Sequence, residues 1–344
     1  MQRDLYSFAR KQGLNEKKVV DSSSGISPLG PSRKVRAAIR KAIKDLNIYP
    51  DPSLLRLRRF FVSRFGLAEE GLFFASSMEE LVYLLPTVFR PTRVLVVGPS
   101  LNLYEDASTA AGAVVTYLIS GESSGFDIDV TTIRQNLDGI DLLFIANPNR
   151  LTGRLTDRKE LYQTLKHAAD KKVLVVLDES LIEFTKDCDY YIGDNIVVLR
   201  TTAHFYGLPG LELAYAVGSA SVINDLGKAM NGNVTMLAAE AARVSLMDKT
   251  YQKLVRNFVA DEKRHLMRAL KKIKGLICYE SDSNMVLIRL EYHEEELLNS
   301  LARAGFFIRD CAEIRGLDSS FLRLSIMDRD KIKKFLRIVN DTYV

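Results

Sequence analysis

The sequence predicts an α/β fold, with a mostly parallel sheet in a large domain and a smaller α+β domain after it. Short apolar runs at 93–97, 114–118, 141–145 and 173–177 carry no polar alternation, the pattern of strands buried on both faces. Amphipathic stretches such as 159–169 separate them, which is the strand and helix alternation of a parallel sheet covered by helices. A long Lys- and Arg-rich helix over 250–273 then breaks at Gly275, and shorter apolar runs of mixed type follow.

Over 53–65, Leu54, Leu57, Phe61 and Phe65 share one helical face, and Ser53, after Asp51 and Pro52, reads as the N-cap. Residues 79–89 repeat apolar side chains at helical spacing, and the run at 93–97 is ended by Gly98 and Pro99. A further apolar run occupies 195–200. Beyond the long helix come a strand at 285–290, a helix at 294–304, a short apolar run at 306–308 and a strand at 321–326. The expected organisation is an N-terminal arm over 1–30, a large domain over 31–250 and a small domain over 251–344, with the boundary inside the long helix.

Composition narrows the classes. A chain of 344 residues, 47% hydrophobic, can bury a sizeable core. Its 48 Lys and Arg against 43 Asp and Glu leave a net charge of +5, with one basic cluster at 32–41. Alanines and Ile39 interleave that cluster at helical spacing, so it reads as a solvated helix face and no nucleic-acid partner is expected. A small phosphate or carboxylate is the anionic partner that fits. Cys188, Cys278 and Cys311 are widely spaced and form no CxxC pair, so neither a disulfide framework nor a zinc site is expected. With a polar N-terminus and no apolar stretch near the ~20 residues that span a bilayer, the protein is expected to be soluble and cytoplasmic, without a membrane partner.

Ligands of open α/β sheets bind beyond the carboxyl ends of the strands. Three such places carry distinctive residues: N-P-N-R-L-T-G at 147–153, Asp178-Glu179, and H-F-Y-G-L-P-G-L-E-L-A-Y at 204–215. Singly, each is explained by turn chemistry or a solvated strand end. In combination, and in this order, they resemble the aspartate-aminotransferase-fold family of pyridoxal-phosphate (PLP) enzymes. Within it the chain is most similar to threonine-phosphate decarboxylases and histidinol-phosphate aminotransferases. The resemblance starts at D-S-S-S-G-I-S-P-L-G-P over 21–31, includes Tyr49-Pro50-Asp51-Pro52, and ends at Arg309-Asp310-Cys311, Gly316-Leu317 and Leu322-Arg323-Leu324. The R-D-C pattern favours the decarboxylases, some of whose relatives serve cobalamin biosynthesis.

The resemblance implies a large domain with a mostly parallel, seven-stranded type of sheet, a homodimer, and PLP as the family cofactor. It places His204 and Asp178 at catalytic positions. Tyr49, Ser76, Ser77, Arg150, Asp178 and Thr202 stand at cofactor-binding positions, and Arg323 at the position that clamps a substrate carboxylate. Asp178, Arg323 and Tyr49 keep the family's residue types. His204, by contrast, stands where the family has its Schiff-base lysine, and an imidazole cannot form that bond, so covalent cofactor binding is not expected. Glu212 replaces a phosphate-binding arginine and reverses an attraction. Arg150 replaces an asparagine, Leu101 a stacking aromatic, Glu79 a hydroxyl donor at a helix N-terminus, and Gly25 and Ser27 two substrate-side asparagines. Pro99, Gly153, Gly207 and Gly210, which serve backbone geometry, remain.

Three readings of the site follow. The first is a degenerate homologue, a pseudoenzyme that keeps the fold and binds or regulates through a small acidic or phosphorylated metabolite. The alternative is an enzyme that holds PLP or pyridoxamine phosphate without a covalent bond and uses His204 as base. The third brings Asp178, His204 and Glu212 or Ser180 together as a hydrolytic or metal site, against the plain reading of His204 as a core histidine filling the vacated volume.

Overall fold

The computed structural model describes residues 4–186, 188–230 and 234–343. Helix α1 (Leu5–Gln12) and strand β1 (Val20–Asp21) lead into α2 (Arg33–Ala42) and α3 (Leu55–Phe65). The central run is β2 (Leu72–Ala75), α4 (Met78–Phe89), β3 (Arg93–Gly98), α5 (Leu103–Ala110), β4 (Val114–Ile119), α6 (Val130–Gln135), β5 (Leu142–Ala146), α7 (Arg158–Asp170) and β6 (Leu174–Asp178). It closes with β7 (Ile196–Thr201), β8 (Ala214–Val217), α8 (Ala220–Ala229), α9 (Met236–Met247) and the long α10 (Lys249–Leu270). Then come β9 (Leu276–Cys278), β10 (Met285–Leu290), α11 (Glu294–Arg303), β11 (Phe306–Phe307), β12 (Arg309–Asp310), β13 (Phe321–Ser325) and α12 (Arg329–Tyr343).

Seven strands pair in the order β2-β8-β7-β6-β5-β3-β4. The pairs from β7 through β4 are parallel, whereas β8 pairs antiparallel with both β7 and β2. Successive side chains leave opposite faces of a strand, and here both faces are dry. Val94 and Val96, Leu142 and Phe144, and Val197 and Leu199 enter one core with α4, α5 and α8. Leu95 and Val97, Leu143 and Ile145, and Val198 enter the other with α3, α7 and α9. The unbroken apolar runs are thereby explained. The run at 114–118 differs, because β4 is the sheet edge and half-exposed, with Val114 at the surface.

The smaller unit is an antiparallel sheet, β12-β13-β10-β9, covered by α10, α11 and α12. The N-terminal segment joins it, since β1 pairs parallel with β11 and the ring of Phe8 lies 5.1 Å from that of Phe307. One cap differs from the sequence expectation. Helix α3 begins at Leu55, and its first donor, the Leu55 amide, is accepted by the Asp51 carboxylate at 2.9 Å instead of by Ser53. The longer reach of Asp51 also captures the Ser53 amide and hydroxyl, which removes Ser53 from capping.

Candidate functional site

The carboxyl ends of β3, β5, β6 and β7 and the strand β13 converge on one cleft. β6 delivers Asp178 fully buried, and its carboxylate is saturated by its own chain. Oδ2 accepts from the Tyr104 hydroxyl at 2.6 Å and lies 3.5 Å from Arg150 Nη1; Oδ1 accepts from the Ser180 amide at 2.8 Å and from the Ser180 hydroxyl. Tyr104 comes from α5, stacked on Phe144 at 4.9 Å and 11°. Burial, reinforced by the Asp178 charge, pushes its phenol well above the usual range, so it is a fixed donor. Ser180, which the sequence offered only as part of a hydrolytic or metal site, serves here as a donor to Asp178, and Tyr104 was not singled out from the sequence. The legible signal was a tyrosine on the apolar face of a short helix, which a core role also explains.

Arg150 fills the centre. Its Nη2 is 3.4 Å from His204 Nε2, and its side chain is only 15% exposed. Burial disfavours its charge, but Asp178, then Tyr104 and Glu212, outweigh that and raise its basicity. His204 experiences the reverse. Burial first, then the Arg150 cation, lower its pKa to about 3, with Asp178 opposing. Its Nδ1 is buried without a hydrogen-bond partner. The imidazole is therefore neutral at physiological pH and a weak proton acceptor. Among the described residues no group of three or more His, Cys, Asp or Glu is placed to hold a metal.

At the N-terminus of α4 the donors are claimed by carboxylates. Glu212 Oε1 accepts from the Met78 amide at 3.2 Å and the Thr201 hydroxyl at 2.5 Å. Glu80 Oε2 accepts from the Ser76 amide at 2.6 Å and its hydroxyl at 2.5 Å, while Ser77 Oγ accepts from the Glu80 amide at 3.1 Å, a reciprocal helix cap. Glu80 rather than Glu79 closes on this end, because Glu79 is exposed on the outer face of the first turn. Thr202 is buried and bridges the Leu213 amide and carbonyl. Tyr49 is 98% exposed and is not brought to the cleft by its own chain.

Beside this cluster lies a cavity of about 860 Å³ whose wall includes Arg150, Arg309, Arg323, Leu101 and Phe8. Arg323 donates to the Arg150 carbonyl at 3.1 Å and to the Ser23 carbonyl. Arg309 faces it directly across the β12·β13 pair. No described carboxylate lies within ion-pair distance of either, and the Nε of each is buried without a partner. Burial lowers the Arg323 pKa to about 10, with Arg309 and Arg150 acting in the same direction and Cys311, then the Asp21 carboxylate, opposing them. The Cys311 thiol is itself pushed up to about 11 by burial, which suits a small core residue.

A mostly parallel seven-stranded sheet, an antiparallel satellite sheet and a site at the strand ends define a PLP-dependent, aspartate-aminotransferase-like fold. The model of aminotransferase class I and II matches residues 17–339, and the chain belongs to that family. It is 30% identical over 316 residues to a putative threonine-phosphate decarboxylase of Caldanaerobacter subterraneus, covering 89% of this chain and 86% of that protein. It is also 30% identical over 334 residues to histidinol-phosphate aminotransferase 2 of Archaeoglobus fulgidus, covering 94% and 93%. Among solved structures, the histidinol-phosphate aminotransferase of Clostridium acetobutylicum superposes with a TM-score of 0.88 at 28% identity, over 94% of this chain and 99% of that one.

PLP is the cofactor of this family, and the residues present do not fit it. Position 204 offers no amine. The Asp178 carboxylate is saturated by Tyr104, Ser180 and Arg150, and two carboxylates occupy the amides and hydroxyls a phosphate would need.

Proposed function

We propose that this chain is a non-catalytic member of its family, a receptor for a small acidic or phosphorylated metabolite that works without covalent PLP. The observation that carries the reading is the Arg309 and Arg323 pair. Like charges directly opposed across two strands destabilise a sheet, and a buried guanidinium without a counter-ion costs several kcal/mol. A bound carboxylate or phosphate removes both penalties at once and matches the planar fork of donors. The relatives' names mention threonine phosphate and histidinol phosphate, so phosphothreonine is the first probe to apply.

The test is calorimetric titration of phosphothreonine into the purified chain and into Arg323→Gln. Saturable binding that weakens at least about tenfold in the variant is expected, the equivalent of one lost charge-assisted contact. Absence of binding, together with an aldimine absorption band on adding PLP, would overturn the reading.

A further inference from the structure

We propose that Arg150 and Glu212 are a built-in charge pair occupying the places of the cofactor's ring cation and its phosphate, so that the pocket is complete without the cofactor. The Arg150 guanidinium is a flat cation held between Asp178 Oδ2 at 3.5 Å and His204 Nε2 at 3.4 Å. This is where a buried carboxylate requires a positive partner. The Glu212 carboxylate sits on the first amide of α4, at 3.2 Å, with the Thr201 hydroxyl at 2.5 Å. A helix N-terminus with a free amide and a hydroxyl is an anion site, and here the chain supplies the anion itself.

The two substitutions also depend on one another. Glu212 is among the charges that keep Arg150 protonated despite its burial, after Asp178 and Tyr104. His204, 3.4 Å from Arg150, stays neutral, so it adds no second cation to the cluster. Arg150 has Asp178 as its first partner, and Glu212 adds a second carboxylate charge, so the three form an alternating row Asp178, Arg150, Glu212. The pocket is therefore remodelled by replacement of charge with like charge, a more specific change than simple decay of a disused site.

The experiment titrates PLP into the full chain and into Glu212→Gln, followed by calorimetry and by difference absorbance. The amide keeps an oxygen acceptor for Thr201 and Met78 and removes only the charge. PLP affinity is expected to rise at least about tenfold in Glu212→Gln, and further when Arg150→Asn is added, since a repelling or competing charge is removed each time. Pyridoxal, which lacks the phosphate, should gain nothing in Glu212→Gln. Equal PLP affinity in the unaltered chain and Glu212→Gln would overturn the proposal. Should Glu212→Gln fail to fold in buffer, refolding with PLP present decides: recovery supports the stand-in role and no recovery rejects it. Phosphothreonine affinity, which reads Arg323, should stay within about twofold in Glu212→Gln, so loss of anion recognition is separable from a failure of the charge pair.

Discussion

At position 204 the consequence of the lysine's absence is measurable as pH dependence. His204 has a folded pKa of about 3, below the value near 6.5 of an unfolded chain, so below about pH 6.5 the unfolded state takes up a proton that the folded state refuses. Its contribution to stability is complete above that pH and lost as pH falls towards 3. The groups facing it are Arg150, Asp178 and Arg323. Glu183 acts in the opposite sense. Burial raises its pKa to about 7 despite Arg200, so the folded state keeps a proton that the unfolded state loses, and stability falls as pH rises from about 4.5 to 7. Between about pH 7 and 5 the two effects largely offset. Urea denaturation of Glu183→Gln should therefore show stability falling by about 2 kcal/mol over that range, and His204→Asn should show it rising by a similar amount. Identical pH profiles for both variants and the unaltered chain would contradict this assignment. The imidazole's neutrality could not be read from the sequence, because it depends on the Arg150 side chain arriving from another strand end.

Between elements, the site depends on close backbone approaches that only glycine permits. Gly207 has φ +64°, and a Cβ there would lie 2.7 Å from the backbone of Gly30. Gly207→Ala should cost about 3 kcal/mol or more, combining left-handed strain with a clash that backbone cannot relieve. Gly210, three residues on, faces open space, and Gly210→Ala should change stability by less than about 0.5 kcal/mol. Comparison of urea midpoints checks both, and equal costs would remove the distinction. From the sequence the two glycines looked equivalent, since turn composition does not reveal which one is crowded. Motif order did place Asp178, Arg150 and His204 at one cleft, because strand ends gather in any parallel sheet, whereas Arg323, within β13 of the antiparallel sheet, was assigned there only by the family resemblance. What remained illegible were partners fixed by three-dimensional register: Arg309 opposite Arg323, Tyr104 under Asp178, and Glu80 rather than Glu79 on the helix end. Periodicity identifies the face of a helix, but the side chain that turns back over its N-terminus is decided by rotamer and reach.

At the scale of the whole molecule, one surface segment is left apolar. Ile43, Leu46, Ile48 and Tyr49 are 48%, 60%, 61% and 98% exposed along a single short connection between α2 and α3. Side chains of this size, clustered within seven residues and exposed, are the usual mark of an association surface. A homodimer is the assembly that the sequence resemblance implies, and in a two-fold pair each copy of this segment would be covered by its mate. Light scattering coupled to gel filtration should give twice the chain mass. Replacing Ile48 and Tyr49 by Glu should shift the protein to monomer while circular dichroism stays unchanged, because neither side chain contributes to the core of its own subunit. A monomer at every concentration tested would exclude this surface as an interface. If the dimer forms and phosphothreonine binding survives in the monomeric variant, then Arg309 and Arg323 suffice as the anion receptor. If binding disappears with the dimer, the ligand cavity is completed by the second subunit. Tyr49, which its own chain leaves in solvent, is then the residue to test next.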